Sequence, residues 1–411
     1  MIISDFHLHS KYSRATSRTS DLEGFSYWAK RKDVDLLGTG DFTHPKWFSE
    51  LQEKLKPISS GVFEFKGIKY ILTTEISCIY SKNNKTRKIH ILIFAPSFDA
   101  AKKLSVQLSW IGNIKSDGRP ILGLDVKELV KITLDTVGEE NSLIVPAHIW
   151  TPWFSLFGAN SGFDSLRECF EEFSPNIHAI ETGLSSDPAM NFRVSSLDSV
   201  TIISNSDAHS PSKIGREATI LDLDNKDVTY KEIISAIKNG RINSTIEFFP
   251  EEGKYHFDGH RKCNILFSPT ETKKHHNICP VCKRPLTVGV MSRVEELADR
   301  EEGFIPGNRP SFKYLIPLEE IIACALGMGK NTKTVQKEYE KLVDTFGNEF
   351  GILREVPKQD LKKVSDDLIS EGIMRVREEK VNITPGYDGV YGKIKVFDDN
   401  EVIKIGQQAL F

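Results

Sequence analysis

Met1-Ile-Ile-Ser-Asp-Phe-His-Leu-His-Ser10 opens the chain, and the reading of this decapeptide decides the fold. A short β-branched run ends in His7-x-His9, and side chains two apart on extended backbone point to one side. Two imidazoles so placed can hold a divalent metal from one direction. The pattern recurs downstream. Runs at 34–39, 70–76, 89–95, 143–147, 179–181 and 201–205 predict strands, and Gly40-Asp41, Thr74-Glu75, Ala147-His148, Glu181 and Asp207-Ala208-His209 fall at their C-terminal ends. His90 instead opens its strand. Helical patterns intervene at 21–31 (with Ser20 as N-cap), 98–110 and 163–173. This alternation predicts βα units and a mostly parallel sheet. Seven strands suit a barrel, in which strand C-termini converge on one face that carries chemistry.

Composition narrows the class. The 411 residues are 39% hydrophobic and 27% charged, a soluble globular balance with room for two or three domains. No run approaches the ~18 apolar residues of a membrane span, and the N-terminus lacks a basic region followed by an apolar one, so membrane and secreted readings are disfavoured. With 54 Lys/Arg against 57 Asp/Glu the net charge is −3, which excludes a wholly basic coat protein but not a local basic face. Six cysteines do not make a disulfide framework. Cys78, Cys169 and Cys324 sit in apolar surroundings as small buried hydrophobes.

His7, His9, His44, His90, His148 and His209 lie at or beside strand ends with Asp41, Glu75 and Asp207. Desolvating so many imidazoles and carboxylates together is costly without metal. Mixed imidazole and carboxylate ligands suit Zn, Mn or Fe. The chain has no GxxxxGK[ST], no GxGxxG after a strand and no nucleophile elbow, which leaves metal-dependent phosphoester hydrolysis as the leading reaction.

A second cluster lies beyond residue 250. Cys279-Pro-Val-Cys282 is a zinc knuckle, and His260-Arg-Lys-Cys263 supplies the other half-site of a closed tetrahedral zinc. His256, His275 and His276 are rival fourth ligands. Around it Arg261, Lys262, Lys273, Lys274, Lys283 and Arg284 face a single acid, Glu271. Beside a phosphoesterase centre, such a patch fits an anionic polymer substrate. From 316 onward the pattern turns helical (318–328, 332–346, 359–371) and ends in a Gly/Tyr segment and a short strand pair.

HLHS, TGDFTH, TTEIS, His148 and NSDAHS resemble the motifs of the PHP (polymerase and histidinol phosphatase) metallo-hydrolases. That resemblance implies a distorted seven-stranded (β/α) barrel of PHP type over residues 1–245. His7, His9, Glu75 and Asp207 would hold one metal, and Glu75 would bridge to a second on His90 and His148. His209 with Asp41 or His44 would hold a third. Glu75, Asp207 and His209 would take the catalytic part. Zn is the expected ion, with Mg or Mn as alternatives, two or three at the barrel and one structural Zn.

GKYHFDGHRKC, CPVC, PLTVGV, RVEELADR and PGYDGVYG after such a barrel resemble the endonuclease Q family across nearly the whole chain. GTGDFTHPKW, AHIWTPWFSLFG, SGFDS, DPAMNFRVSSLD and SDAHSPSKIGREA fit it too. The resemblance implies a zinc-binding segment at 246–300, a helical C-terminal domain at 301–411 and a cytoplasmic, nucleoid-associated DNA-repair enzyme. It would cleave 5′ to uracil, hypoxanthine, xanthine or an abasic site, leaving 3′-hydroxyl and 5′-phosphate ends. In that role Trp150, Trp153 and Phe154 are candidates to stack on an extruded base, and Arg193, Arg216, Lys262, Lys273 and Lys274 to steady phosphates. Tyr387, Asp388 and Tyr391 are candidates for contacts to a base edge. The barrel alone would also suit a small-molecule phosphatase of histidinol-phosphate type or a nucleic-acid-binding module without turnover. The end of the chain, Gln407-Gln-Ala-Leu410-Phe411, resembles the start of the peptide that docks on the replication sliding clamp (PCNA); its final aromatic position would lie beyond residue 411.

Overall fold

The computed structural model describes residues 1–307, 309–398 and 401. Each of the seven strand runs becomes a strand: Ile2–Asp5, Leu36–Gly38, Ile68–Lys82, Lys85–Ala95, Leu143–Pro146, Ala179–Glu181 and Thr201–Ile203. They do not close into a seven-stranded barrel. One open sheet of eleven strands runs in the order Ser311–Tyr314, Ile242–Glu247, Ala218–Leu221, Ile2–Asp5, Leu36–Gly38, Ile68–Lys82. There it forks, to Val62–Phe65 and Lys56–Ser59 on one branch and to Lys85–Ala95 and Leu143–Pro146 on the other, and the eleventh strand, Ile121–Leu122, pairs with Ile68–Lys82. Ala179–Glu181 and Thr201–Ile203 form a separate parallel pair.

The mostly parallel expectation also needs correction. Ile68–Lys82 continues the parallel run begun by Ile2–Asp5 and Leu36–Gly38, then returns as an antiparallel hairpin. The turn is Asn83-Asn84, both at positive φ (54° and 57°), the two-residue geometry whose twist matches the flanking strands. Reversal explains His90. A strand running backwards presents its first half on the face where its neighbours end.

Period two sorts the side chains of these strands between two cores. Ile71, Leu92, Phe94, Leu143 and Val145 join Ile2, Leu36 and the helix Tyr230–Lys238 in the inner cluster. Ile91, Ile93 and Ile144 join the outer cluster with the surrounding helices. Glu75 and His90 share the inner parity of Ile71 and Leu92. The interior therefore passes from apolar to ionisable along the strand axis. The helix Leu22–Lys32 is capped by Asp21, not by Ser20: the Asp21 carboxylate accepts from Gly24 N–H.

The later segments pack closely on the sheet. Ser311–Tyr314 extends it, parallel to Ile242–Glu247. The C-terminal helices Leu318–Leu326, Lys333–Phe346 and Glu349–Arg354 dock through Lys213 to Glu319 and Glu320 and through Arg31 to Glu340. The helical pattern at 359–371 resolves into Lys358–Val364 and Asp367–Arg377, because Asp366 turns its side chain onto Leu368 N–H and starts a new helix. Among the described residues no helix is long and apolar enough to cross a membrane.

Candidate metal centre

Glu75 lies at the middle of the ionisable layer and is buried. Its Oε1 is 2.6 Å from His90 Nδ1 and 3.2 Å from His148 Nε2. Its Oε2 is 3.4 Å from His7 Nε2 and 3.2 Å from His9 Nε2. One carboxylate thus presents each oxygen to a different pair of imidazoles, the geometry of a bridging ligand. His9 Nε2 also lies 3.0 Å from Asp207 Oδ1, and His209 completes a third group with these two. Within each of the groups His7/His9/Glu75, Glu75/His90/His148 and His9/Asp207/His209, the candidate ligand atoms lie within 4.8 Å of one another.

The residues present fit metal ions. His7 Nε2, His9 Nε2 and Asp207 Oδ1 are buried and none has a partner of hydrogen-bonding geometry, although carboxylate oxygens and imidazoles surround them. Buried polar atoms left so are rare without a function, and these point into shared gaps. Burial pushes the Glu75 pKa up, but the positive charges of His90, Arg119 and His7 outweigh it and hold the carboxyl well below its ordinary range. Burial likewise opposes protonation of His7 and His9. Glu181, Glu75 and Asp207 outweigh it at His7, and the adjacent carboxylates of Asp207, Asp41 and Glu75 do so at His9, so both pKa values rise well above the ordinary one. The pocket is strongly anionic and has a high affinity for positive charge.

A second layer aims the imidazoles. Glu181 takes His7 Nδ1 at 3.0 Å from both oxygens, the backbone N–H of His148 at 2.9 Å and Asn205 Nδ2 at 2.8 Å. Asp41 takes His9 Nδ1 at 3.1 Å while accepting from Ser10 N–H, Ser10 Oγ and Ser13 Oγ. Carboxylate partners of this kind fix the tautomer and raise the basicity of the free nitrogen. The strand ends are bent sharply to reach these positions. Asp41, His148, Phe154 and Asp207 all sit at positive φ, between 33° and 63°, a region costing a non-glycine residue about 1–2 kcal/mol. Strain of this kind gathers at functional sites.

The third metal drawn from the resemblance needs correction. His209 is grouped with His9 and Asp207, not with Asp41 or His44. Asp41 is engaged behind His9, and the His44 ring stacks on Tyr12 with Nε2 3.1 Å from Lys115 O. Two residues were not singled out from sequence. Glu181 was noted only as a strand end. Arg119, whose Nη1 lies 3.1 Å from Glu75 Oε2, comes from a turn-rich segment with no periodic signal.

In the cysteine segment His260, Cys263, Cys279 and Cys282 offer ligand atoms within 4.8 Å of one another. The hairpin Asp258–His260 with Ile265–Phe267 supplies one half-site and the knuckle, closed by Lys283 N–H to Cys279 O, supplies the other. Burial pushes the Cys279 thiol up, yet the backbone N–H groups of Cys282 and Val281 bring it down to about 6, so it is a thiolate at neutral pH. Of the rivals, His275 stacks on Phe267 and His256 is buried against Phe257.

Comparison with known proteins follows the same outline. Residues 196–242 match the PHP-associated family model and 317–380 the MJ0043 C-terminal domain model. The chain is 32% identical to YqxK of Bacillus subtilis over 89% of its own length and 90% of that protein. It is 36% identical to MJ0043 of Methanocaldococcus jannaschii over 60% of its own length, but spans only 31% of that longer protein. The crystal structure of the lesion-specific endonuclease PfuEndoQ from Pyrococcus furiosus superposes with a TM-score of 0.85 at 33% identity, covering 98% of this chain and 96% of that one. Endonuclease Q in complex with a 27-mer duplex bearing an abasic lesion at the active site superposes with a TM-score of 0.84 at 33% identity, covering 98% of both chains. The chain belongs to the endonuclease Q family.

Within this endonuclease Q fold the candidate DNA residues separate into two sets. Trp150 is fully buried and donates to Asn191 Oδ1, so it is a core residue and not a stacking surface. Arg193 is paired with Glu295 and Nε donates to Arg300 O, bracing the strand-end turns against the cysteine segment. Arg216 donates to Ser206 O beside the Asp207 turn. Asp388 accepts from Arg261 N–H and Thr287 Oγ1, and Tyr387 bonds Asn264, so both secure the cysteine segment. Phe154 packs 4.9 Å from the His90 ring. Trp153 and Tyr391 remain exposed and line, with Thr151 and Tyr255, a cavity of about 310 Å³. Thr151 Oγ1 is 3.3 Å from His148 Nδ1, which sets that cavity against the metal centre. Lys262, Lys273 and Lys274 are exposed, Lys273 with Glu295 3.4 Å away. Gln407, Leu410 and Phe411 lie outside the described residues.

Proposed function

We propose that this chain is a metal-dependent DNA repair endonuclease that cleaves the phosphodiester 5′ to deaminated bases (uracil, hypoxanthine, xanthine) and abasic sites. The observation that carries this reading is Glu75, one buried carboxylate shared between the His7/His9 and His90/His148 pairs in a chain whose fold matches a lesion-specific endonuclease over nearly its full length. Two or three divalent ions, Zn with Mg or Mn as alternatives, would be held by His7, His9, Glu75, His90, His148, Asp207 and His209, and a structural Zn by His260, Cys263, Cys279 and Cys282. Bound there, the ions supply an activated water and neutralise the leaving oxygen.

The chain's own residues do the rest. Glu75 sets the separation between the two imidazole pairs. Asp207 and His209, a quarter and a third exposed, are the ligands that meet the substrate. An oxygen–phosphorus bond forms from water and the bond to the 3′-oxygen breaks, with the water proton passing to that oxygen. This leaves 3′-hydroxyl and 5′-phosphate ends. The aromatic walls of Trp153, Tyr255 and Tyr391 suit an extruded base, whose unstacking costs a few kcal/mol to be recovered by such contacts. The test is a duplex carrying one deoxyuridine or deoxyinosine, incubated with Mg, Mn or Zn. Scission on the 5′ side of the lesion is expected; equal cleavage of undamaged duplex would remove the lesion assignment. The His7→Ala variant should bind the duplex without cutting it. The sliding clamp is a proposed partner through Gln407, Leu410 and Phe411, and a pull-down with and without residues 407–411 tests it.

A further inference from the structure

Arg119 is the one guanidinium in contact with Glu75 among the described residues. Its position is built, not incidental. The short strand Ile121–Leu122 pairs in parallel with Ser77 and Cys78, two residues beyond Glu75, and Ser77 N–H donates to Pro120 O. Gly118 N–H donates to Tyr12 O, and a Cβ at Gly118 would overlap Asp41 Oδ2 and Ser13 Oγ, so the segment passes directly over the pair that orients His9. Asp117, itself buried, holds Arg119 N–H and both Arg14 N–H and its side chain. Four anchors thus deliver a cation to the mouth of the metal centre. Its side chain is a quarter exposed. One of its five N–H donors meets Glu75, which leaves the others for a ligand at the centre.

That placement is at odds with a purely structural role. Arg119 bonds Oε2, the oxygen that also faces His7 and His9. A guanidinium there competes with any ion held by these three groups, and close to a dication it is repelled. It is tolerated if an anion arrives with the ions, and the fork geometry of arginine matches the paired oxygens of a phosphate. We propose that Arg119 is a catalytic residue with two partners: it pairs with Glu75 in the absence of substrate, and in the loaded enzyme it turns to a non-bridging oxygen of the scissile phosphate. Charge on that oxygen grows as the phosphorus is attacked, so the contact strengthens in the transition state. The inference rests on the proposed phosphodiesterase reading and deepens it.

Two readouts on the full chain test it. The first is Mn²⁺ affinity without DNA, compared for wild type, Arg119→Gln and Arg119→Lys. Removing the competing charge should tighten Mn²⁺ binding in Arg119→Gln by about tenfold, one unit of differential interaction, with Arg119→Lys close to wild type. The second is cleavage of the single-lesion duplex at saturating metal. Arg119→Gln should lose ~10²–10³ in kcat, as for other single donors to developing charge, with KM changed less than threefold and partial recovery in Arg119→Lys. Metal affinity falling together with cleavage would make Arg119 a structural brace and overturn the proposal, as would unchanged values of both. A wild-type chain that cuts no lesion duplex counts against the proposed function alone; the Mn²⁺ comparison still decides the Arg119–Glu75 competition, and equal affinities overturn it.

Discussion

Glu181 does more for the centre than its absence from the ligand groups suggests. It receives His7 Nδ1, the His148 backbone and Asn205 together, tying three strand ends to one carboxylate. Replacing it by Gln keeps the shape but removes the charge that sets the His7 tautomer. Glu181→Gln should weaken metal binding by about 10–100-fold, the usual scale for losing such a partner, with little change in the metal-free melting temperature. Calorimetric titration with Mn²⁺ or Zn²⁺ checks this; an unchanged affinity would show that His7 needs no orienting partner. Two tryptophans three residues apart make the opposite contrast. Trp150 fills the core, so Trp150→Ala should destabilise by about 3–5 kcal/mol as read by denaturant melts. Trp153 is 40% exposed on the cavity wall, so Trp153→Ala should leave stability within about 0.5 kcal/mol and weaken lesion binding. If both variants lose stability alike, the cavity wall is part of the core.

At the scale of elements, the centre depends on turns as much as on strands. Gly183, at φ 63°, follows the strand Ala179–Glu181, and a Cβ there would overlap the His148 backbone and Cβ. Gly183→Ala should therefore displace His148 and cut metal affinity at the His90/His148 pair. Metal titration of that variant against wild type reads this directly, and wild-type affinity would refute the close approach. The same scale shows how far the sequence could be read. All seven strand runs were visible because β-branched alternation is local. So were the residues that the candidate centre brings together, from His7 to His209, because ionisable residues at strand ends break an otherwise apolar run. The antiparallel return has one local signal, the turn pair Asn83-Asn84, which the alternation of strands and helices outweighs. Closure failed for a reason outside the local sequence: which strands share hydrogen bonds is set by packing across two hundred residues. Arg119 and the stacking of His44 on Tyr12 were likewise invisible, since each depends on a loop whose path is fixed by distant partners. The buried state of Trp150 could not be told from the exposed state of Trp153, because both lie in one aromatic loop.

On the scale of the whole molecule, the later segments are bound to the open sheet through buried charge, and one such group gives the stability of the protein a pH dependence. Ser311–Tyr314 covers the strand Ile242–Glu247, enclosing Glu247 with Glu217 and near Asp187. Burial raises the Glu247 pKa most, and although Ser204 and Thr182 donate to it, the nearby Asp187 charge adds to the rise and the value reaches about 8. Glu217 is driven well above its ordinary range by burial and by Glu247 beside it, with Arg216 opposing. Burial thus favours the neutral form of both carboxyls in the fold. For an acid whose folded pKa exceeds the unfolded one, the contribution to stability is complete below the unfolded value of about 4.5 and is lost as pH rises through the folded value near 8. Thermal melts of the wild type should decline from pH 6.5 to pH 9. Glu247→Gln, which keeps the hydrogen bonds with Ser204 and Thr182 within reach and cannot ionise, should show a flatter profile and exceed the wild type by roughly 4 kcal/mol at pH 9. At pH 5 the two should melt within about 1 kcal/mol of each other. Parallel profiles across this range would mean that the pair ionises without cost, and that the sheet edge under Ser311–Tyr314 admits water.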